Sequence, residues 1–266
     1  MIDLTGKSAI VTGGGSGIGK GIGKILALSG ADIVMADKDR DAVEAVVSTD
    51  LEGPGEFLPA TVDVTDAESI ADLIDMVGSV DILVNNAGIV GALDWWKREN
   101  PNDDDWEQVF AVNVMGMVKM TEAVSPSMKK NRYGKIVNIA STAARQGSPD
   151  LPHYSSSKAA VVSWTQSNAH QLASHSINVN AICPGLLWTP MWESISRKRD
   201  RFGSGLFKSG EMTGREIFEN AVESWIPLKR EQTPQDIGYL AAFLASDISR
   251  NITGQAINVD GGRWMN

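Results

Sequence analysis

The 266-residue chain carries 24 Lys and Arg against 33 Asp and Glu, and its net charge of -9 argues against a general nucleic-acid binder, which needs clustered cations to neutralise phosphates. Its 42% hydrophobic and 21% charged content is that of a folded globular protein. The single cysteine, Cys183, excludes an intrachain disulfide and a four-cysteine zinc site; no metal is expected, and a reducing cytoplasm fits.

The N-terminal stretch has no basic region followed by an apolar run, and no segment approaches ~18 uninterrupted apolar residues, so neither a leader nor a membrane span is expected. Seven apolar runs follow in order: SAIV from Ser8, ADIVMA from Ala31, FLPATVDV from Phe57, VDILVNN from Val80, GKIVNIAS from Gly134, INVNAICPG from Ile177 and GQAINVDGG from Gly254. Ile33-Val34-Met35 and Ile82-Leu83-Val84 are apolar on consecutive residues, as in strands buried on both faces of a parallel sheet. With amphipathic stretches between the runs, this predicts an α/β doubly wound (Rossmann-type) parallel sheet of seven strands with helices on both faces. No repeat or Pro/Ser-rich linker offers a boundary, so residues 1–266 are read as one dinucleotide-binding domain. The strand-helix rhythm pauses from Ser194 to Gly214, where charge and glycine rise, and this reads as a mobile insertion.

The first run opens onto VTGGGSGIGKGIGK, from Val11 to Lys24. No register satisfies G-x-G-x-x-G, but G-x-x-x-G-x-G fits from Gly13, Gly15 or Gly17. A strand ending at Thr12 requires the turn at once, which selects Gly13, Gly17 and Gly19 and leaves Gly21 and Gly23 inside the helix. Backbone N–H groups of Gly17 and Ile18 would then cradle a pyrophosphate. The second strand ends in Asp37, about 20 residues beyond the turn, where a carboxylate can accept from ribose hydroxyls. A 2′-phosphate there meets like charge, about 4 kcal/mol per charge pair at ~4 Å and an effective dielectric of ~20, which favours NAD over NADP. Lys38 and Arg40 are the countervailing cations.

Tyr154 and Lys158 stand four apart in a helical segment and share one face. A neighbouring ammonium favours the phenolate; bringing a phenol from its usual pKa near 10 to about 7 takes roughly 4 kcal/mol. Ser141 closes the fifth run, where a hydroxyl can hold a substrate oxygen beside the phenol.

Thr12-Gly13-x-x-x-Gly17-x-Gly19, Asp63-Val64, Asn85-Asn86-Ala87-Gly88, Asn113, Ser141, Tyr154-x-x-x-Lys158, Pro184-Gly185 and the closing ITGQAINVDGG together resemble the short-chain dehydrogenase/reductases across nearly the whole chain. The resemblance implies Tyr154 as general acid/base and Ser141 as the group that orients the reacting oxygen. It implies that Lys158 depresses the tyrosine pKa and binds the nicotinamide ribose, and that Asn113 holds a water in a proton relay. It places Gly13, Ser16, Gly17, Ile18, Gly19 and Asp37 at the cofactor, Asp63 and Val64 along the adenine, and Asn86, Ala87 and Gly88 near the cofactor's centre. Pro184, Gly185 and Thr189 fall at the nicotinamide end. It further implies a homotetramer, with Trp264 and Met265 as candidates for reaching a neighbouring subunit. Two departures stand out: the helix AESIADLIDMVGS is abbreviated, and DWWKRENPNDDDW reads as a longer, more acidic loop.

A substrate lid is expected at about 186–226, rich in aromatic residues, among them Trp188, Met191, Trp192, Phe202, Phe207 and Trp225. With Trp95 and Trp96 they suggest an aromatic-walled pocket, with Trp95, Trp188 and Trp192 as substrate contacts. TPMW at Thr189 to Trp192 and the ending NVDGGRWMN resemble the family's polyol and diol dehydrogenases. The expected activity is therefore NAD-dependent interconversion of a secondary alcohol (polyol, diol or similar) and its ketone. Alternatives are reduction of 3-oxoacyl thioesters or of cyclic or aryl ketones, and a non-catalytic NAD-binding regulator. A sugar-nucleotide epimerase or dehydratase would call for a longer C-terminal substrate domain.

Overall fold

The computed structural model describes residues 2–203 and 212–265. Its strands β1 (Ser8–Thr12), β2 (Asp32–Asp37), β3 (Phe57–Thr61), β4 (Ile82–Asn85), β5 (Gly134–Ile139), β6 (Ile177–Pro184) and β7 (Ala256–Val259) form one sheet in the order β3-β2-β1-β4-β5-β6-β7. Every pairing is parallel. Pro59 is tolerated because β3 is an edge strand, where a missing N–H breaks no inner ladder. The strand order reverses between β1 and β4, and it is beyond the carboxyl ends at this switch point that doubly wound sheets bind ligands.

The strands' alternation builds two apolar layers. Val11, Ile33, Met35, Ile82 and Val84 pack on one face with Ile22, Ile25 and Leu26 of α1 (Gly17–Leu28), Val43 and Val46 of α2 (Arg40–Thr49), and Ile237 and Ala241 of α9 (Pro234–Ala245). Ile10, Val34, Leu83, Ile136 and Val179 pack on the other with Ile70 and Leu73 of α3 (Ala67–Val77), Met120, Val124 and Met128 of α5 (Met117–Asn131), and Leu172 of α6 (Pro152–Leu172).

The acidic stretch before α5 departs from the loop expected there. Trp95–Lys97 form a 3-10 turn, and Asp103–Phe110 form α4, opened by a capping box in which Asn102 and Asp105 exchange side-chain bonds with each other's backbone N–H. Three consecutive aspartates thus sit in a first helical turn, where the helix dipole favours them. The expected insertion is helical through most of its charged part: α7 (Pro190–Phe202) carries Ser194 to Phe202, and α8 (Gly214–Trp225) follows. Phe207 and the rest of 204–211 lie outside the described residues. Both helices share an apolar cluster of their own with Trp95, Leu151 and Ile226. No helix among the described residues is long and apolar enough to cross a membrane.

Candidate active site

A cavity of about 1050 Å³ opens at the carboxyl ends of the strands, under α7. It is lined by Gly13, Ser16, Gly17, Ile18, Asp37, Asp63, Val64, Asn86, Ala87, Gly88, Trp95, Ser141, Tyr154, Lys158, Pro184, Gly185, Thr189 and Trp192, which is nearly every residue the sequence nominates.

Its glycine-loop end is built from backbone. Gly13 has φ +65°, and the Asn86 Nδ2 donates to the carbonyls of Thr12 and Gly13, both at 3.0 Å, tying the turn to β4. The buried Thr12 hydroxyl adds to this by accepting the backbone N–H of Asn86 and Ala87. Gly19 lies beneath: a Cβ there would come within 2.1 Å of the Gly13 oxygen. Asp39, Asp66, Asn102, Thr189, Thr213 and Thr233 each cap the helix that follows them, but Ser16 gives α1 no side-chain cap and its first turn holds no acidic residue. The positive end of α1 is left to the cavity, as an anion site requires.

Asp37 is fixed by two backbone donors, Gly15 N–H at 3.0 Å and Asp39 N–H at 3.1 Å. The two cations that could recruit a phosphate there have other partners: Lys38 pairs with Asp63 at 2.8 Å and Arg40 with Glu44 at 2.7 Å. The Lys38 bond, helped by two from Thr65, holds the Asp63 carboxyl down to about 2.

At the opposite end, α6 presents Tyr154 and Lys158 one turn apart, and the Tyr154 hydroxyl hydrogen-bonds with Ser141. The Lys158 ammonium donates to the Ile139 carbonyl at 2.8 Å and lies 5.7 Å from the Tyr154 ring centre. In the protein by itself, burial dominates the electrostatics of both groups. Burial pushes the phenol up to about 12, against the Ser141 hydrogen bond that lowers it, and burial holds Lys158 down to about 8. In the protein alone Tyr154 is a protonated phenol at neutral pH.

Asn113 does not line the cavity. It is buried in a π-helical turn, Ala111–Gly116, that joins α4 to α5; its Oδ1 accepts from Ile89 N–H (2.8 Å), while its Nδ2 donates to the Ile89 carbonyl (2.9 Å) and Ser157 Oγ (3.1 Å). It clamps the loop after β4 onto α6, beside Gly88 and Lys158. Trp188 also falls off the cavity: it packs edge-on against Phe218, ring centres 5.3 Å apart, because the lid needs it for its own core. Thr189 both lines the cavity and caps α7. Trp264 lines the cavity of its own chain, whereas Met265 is exposed.

Sequence reasoning missed several lining residues: Asp150, Arg199 and Arg263 were not nominated. Arg199 sits in a run that reads as a solvated charged face, and Arg263 in a tail without periodicity. Among the described residues no group of three His, Cys, Asp or Glu is placed to hold a metal.

The short chain dehydrogenase family matches residues 7–200, which contain Ser141, Tyr154 and Lys158. The chain belongs to that family. Short-chain dehydrogenases bind a nicotinamide dinucleotide, and this one is an oxidoreductase of CH–OH groups. It is 40% identical to a galactitol 2-dehydrogenase of Agrobacterium fabrum (98% of this chain, 99% of the relative). It is 37% identical to an L-2,3-butanediol dehydrogenase of Corynebacterium glutamicum (98% and 99%) and to a 3-oxoacyl-(acyl-carrier-protein) reductase of Thermotoga maritima (97% and 98%). Among solved structures, a levodione reductase superposes with a TM-score of 0.85 at 28% identity, covering 98% of both chains.

Proposed function

We propose that this short-chain dehydrogenase interconverts a secondary alcohol and its ketone with NAD, using Tyr154 as general acid/base. The observation that carries the reading is the convergence of the Ser141 hydroxyl, the Tyr154 phenol and the Lys158 ammonium on one wall of the cavity. A nicotinamide dinucleotide suits the other end: the uncapped α1 would take its pyrophosphate, Gly13 and Gly19 leave the space, and Asp37 would accept from its ribose hydroxyls.

When bound, the nicotinamide supplies or accepts the hydride. The protein's own part is positional and protic. Ser141 holds the substrate oxygen against Tyr154; the neutral phenol donates its proton to a ketone oxygen, and in the reverse direction takes the alcohol's proton as a phenolate. Lys158, fixed by the Ile139 carbonyl, keeps a cation beside the ring, and Asn113 positions the loop through Ile89 rather than touching substrate. Trp95 and Trp192 wall the substrate end.

NAD is favoured over NADP because Asp37 faces the cavity while Lys38 and Arg40 are ion-paired. The polyol and diol relatives support the alcohol reading, and the 3-oxoacyl reductase relative supports thioester reduction as the second candidate. The reading includes a cytoplasmic homotetramer, with the partly exposed Trp106 of α4 and Met115 of the π-helical turn as contact candidates. The test is turnover, followed by absorbance of the reduced cofactor, on hexitols, diols, cyclic alcohols and hydroxyacyl thioesters with NAD and NADP. Turnover of the small alcohols with NAD is expected; turnover confined to thioesters with NADP would overturn the assignment.

A further inference from the structure

The lid end of the cavity holds cations that a neutral polyol would not need. Arg263, just beyond β7, lines the cavity with its guanidinium carbon 4.8 Å from the Trp225 ring centre. Among the described residues its side chain makes no hydrogen bond and no ion pair. Asp260, the carboxylate whose field reaches it, is occupied by backbone N–H: Gly262 at 3.0 Å and Trp264 at 2.8 Å. Arg199, from α7, lines the same space and stacks on the same ring at 5.2 Å, and on Trp192 at 5.0 Å.

Both guanidiniums are partly withdrawn from water. Burial lowers the pKa of each, Arg199 to about 10; Asp150 supports the Arg199 charge and Arg263 opposes it. Of the described acidic residues lining the cavity, Asp37 and Asp63 stand at the glycine-loop end, and Asp150 stands with Arg199 at this one. A desolvated guanidinium such as Arg263, with no hydrogen-bond partner among the described residues, is costly, and the aromatic face of Trp225 compensates only in part. A guanidinium's rigid fork suits a planar or tetrahedral oxyanion, which it grips with paired N–H donors.

We propose that the substrate carries an oxyanion, a carboxylate or a phosphate, held by Arg263 and Arg199 at the lid end while its carbinol carbon lies at Ser141 and Tyr154. The inference rests on the oxidoreductase reading above and narrows it: the preferred substrate is an anionic hydroxy compound. Arg263 and Arg199 thereby select substrate and do not touch the reacting atoms.

The experiment compares matched probes with NAD: sorbitol, gluconate and sorbitol 6-phosphate, and 2,3-butanediol against 3-hydroxybutyrate. Gluconate and sorbitol 6-phosphate are also titrated calorimetrically. An anionic member should exceed its neutral counterpart in kcat/KM by about 10- to 100-fold, through KM more than kcat. Whether carboxylate or phosphate leads identifies the oxyanion. Arg263→Gln should collapse that ratio toward about 1 and abolish the calorimetric signal, and Arg263→Lys should restore part of both. Equal efficiency on neutral and anionic probes, or a ratio that Arg263→Gln leaves within about twofold, would overturn the anion assignment while leaving the dehydrogenase reading in place. Absence of turnover on every alcohol and ketone would instead count against that reading. The calorimetric arm then decides the arginine pair alone: binding lost in Arg263→Gln sustains it, and no binding to the wild type overturns it.

Discussion

Lys158 is a buried ammonium whose one hydrogen bond is to a main-chain carbonyl, so its charge is a burden on the folded state. Held down to about 8, it releases its proton in the native protein well before it would in the unfolded chain, whose lysine titrates at 10.5. At this site the unfolded state therefore binds more protons above pH 8, and the Lys158 contribution to native stability rises with pH up to about 10, while Cys183 and, above 10, Tyr154 act in the opposite sense. Denaturant melts of the cofactor-free protein should show Lys158→Met lacking about 2–3 kcal/mol of the gain between pH 8 and 10. Equal slopes would refute the buried-ammonium account. Asp37 carries the second residue-scale prediction: Asp37→Ala should move the NAD/NADP ratio of kcat/KM by about 10- to 100-fold toward NADP. An unmoved ratio would mean that this carboxylate does not select the cofactor. The juxtaposition of the proposed catalytic side chains was legible because their spacing is local: four residues on a helix face bring Tyr154 and Lys158 together. Their electrostatics were not, since burial of the phenol is set by the lid and by strands far away in the chain.

At the scale of elements, Gly19 sits under the turn between β1 and α1, and Asp105 ties down the turn at Trp95. A methyl at Gly19 meets the Gly13 oxygen, so Gly19→Ala must push the turn away from Asn86. Its expected signature is a loss of NAD affinity greater than tenfold alongside about 1–3 kcal/mol of destabilisation. Unchanged affinity would show that the cradle is not where the dinucleotide sits. Asp105, almost wholly buried, takes two bonds from Arg98, at 2.6 and 3.0 Å, and the N–H groups of Ala92 and Asn102, and so folds the Trp95 turn back onto α4. Asp105→Asn should cost on the order of 2–3 kcal/mol, less than for a fully buried pair because Arg98 is partly exposed. Thermal denaturation reads this, and a change under about 0.5 kcal/mol would reject the clamp. The run Asn102 to Asp105 contained the sequence signal for α4, an Asx residue followed three later by an acid, but the acid-rich composition suggested a loop. The ion pair to Arg98 follows from the fold of the turn, which composition does not encode.

For the whole molecule, the alternation of the strands between two apolar layers and the reversal of strand order between β1 and β4 decide where a ligand can lie. The layers were legible from runs of consecutive apolar residues. The lid was legible only as aromatic content; which tryptophans face the cavity depends on how α7 and α8 pack, and that turned Trp188 inward and brought Arg199 to the cavity. Because ligand binding to the native state adds to its stability, NAD at 100 times its dissociation constant should contribute about 2.7 kcal/mol and raise the melting temperature by about 5–10 °C. NADP at the same concentration should do less.

The most direct test is turnover and NAD affinity measured together on Tyr154→Phe. Loss of one hydroxyl should reduce kcat by at least about a thousandfold on whichever alcohol the wild type oxidises, with NAD affinity within about threefold of wild type. A variant that keeps more than about a tenth of wild-type turnover would contradict the assignment of Tyr154 as the proton-transferring group.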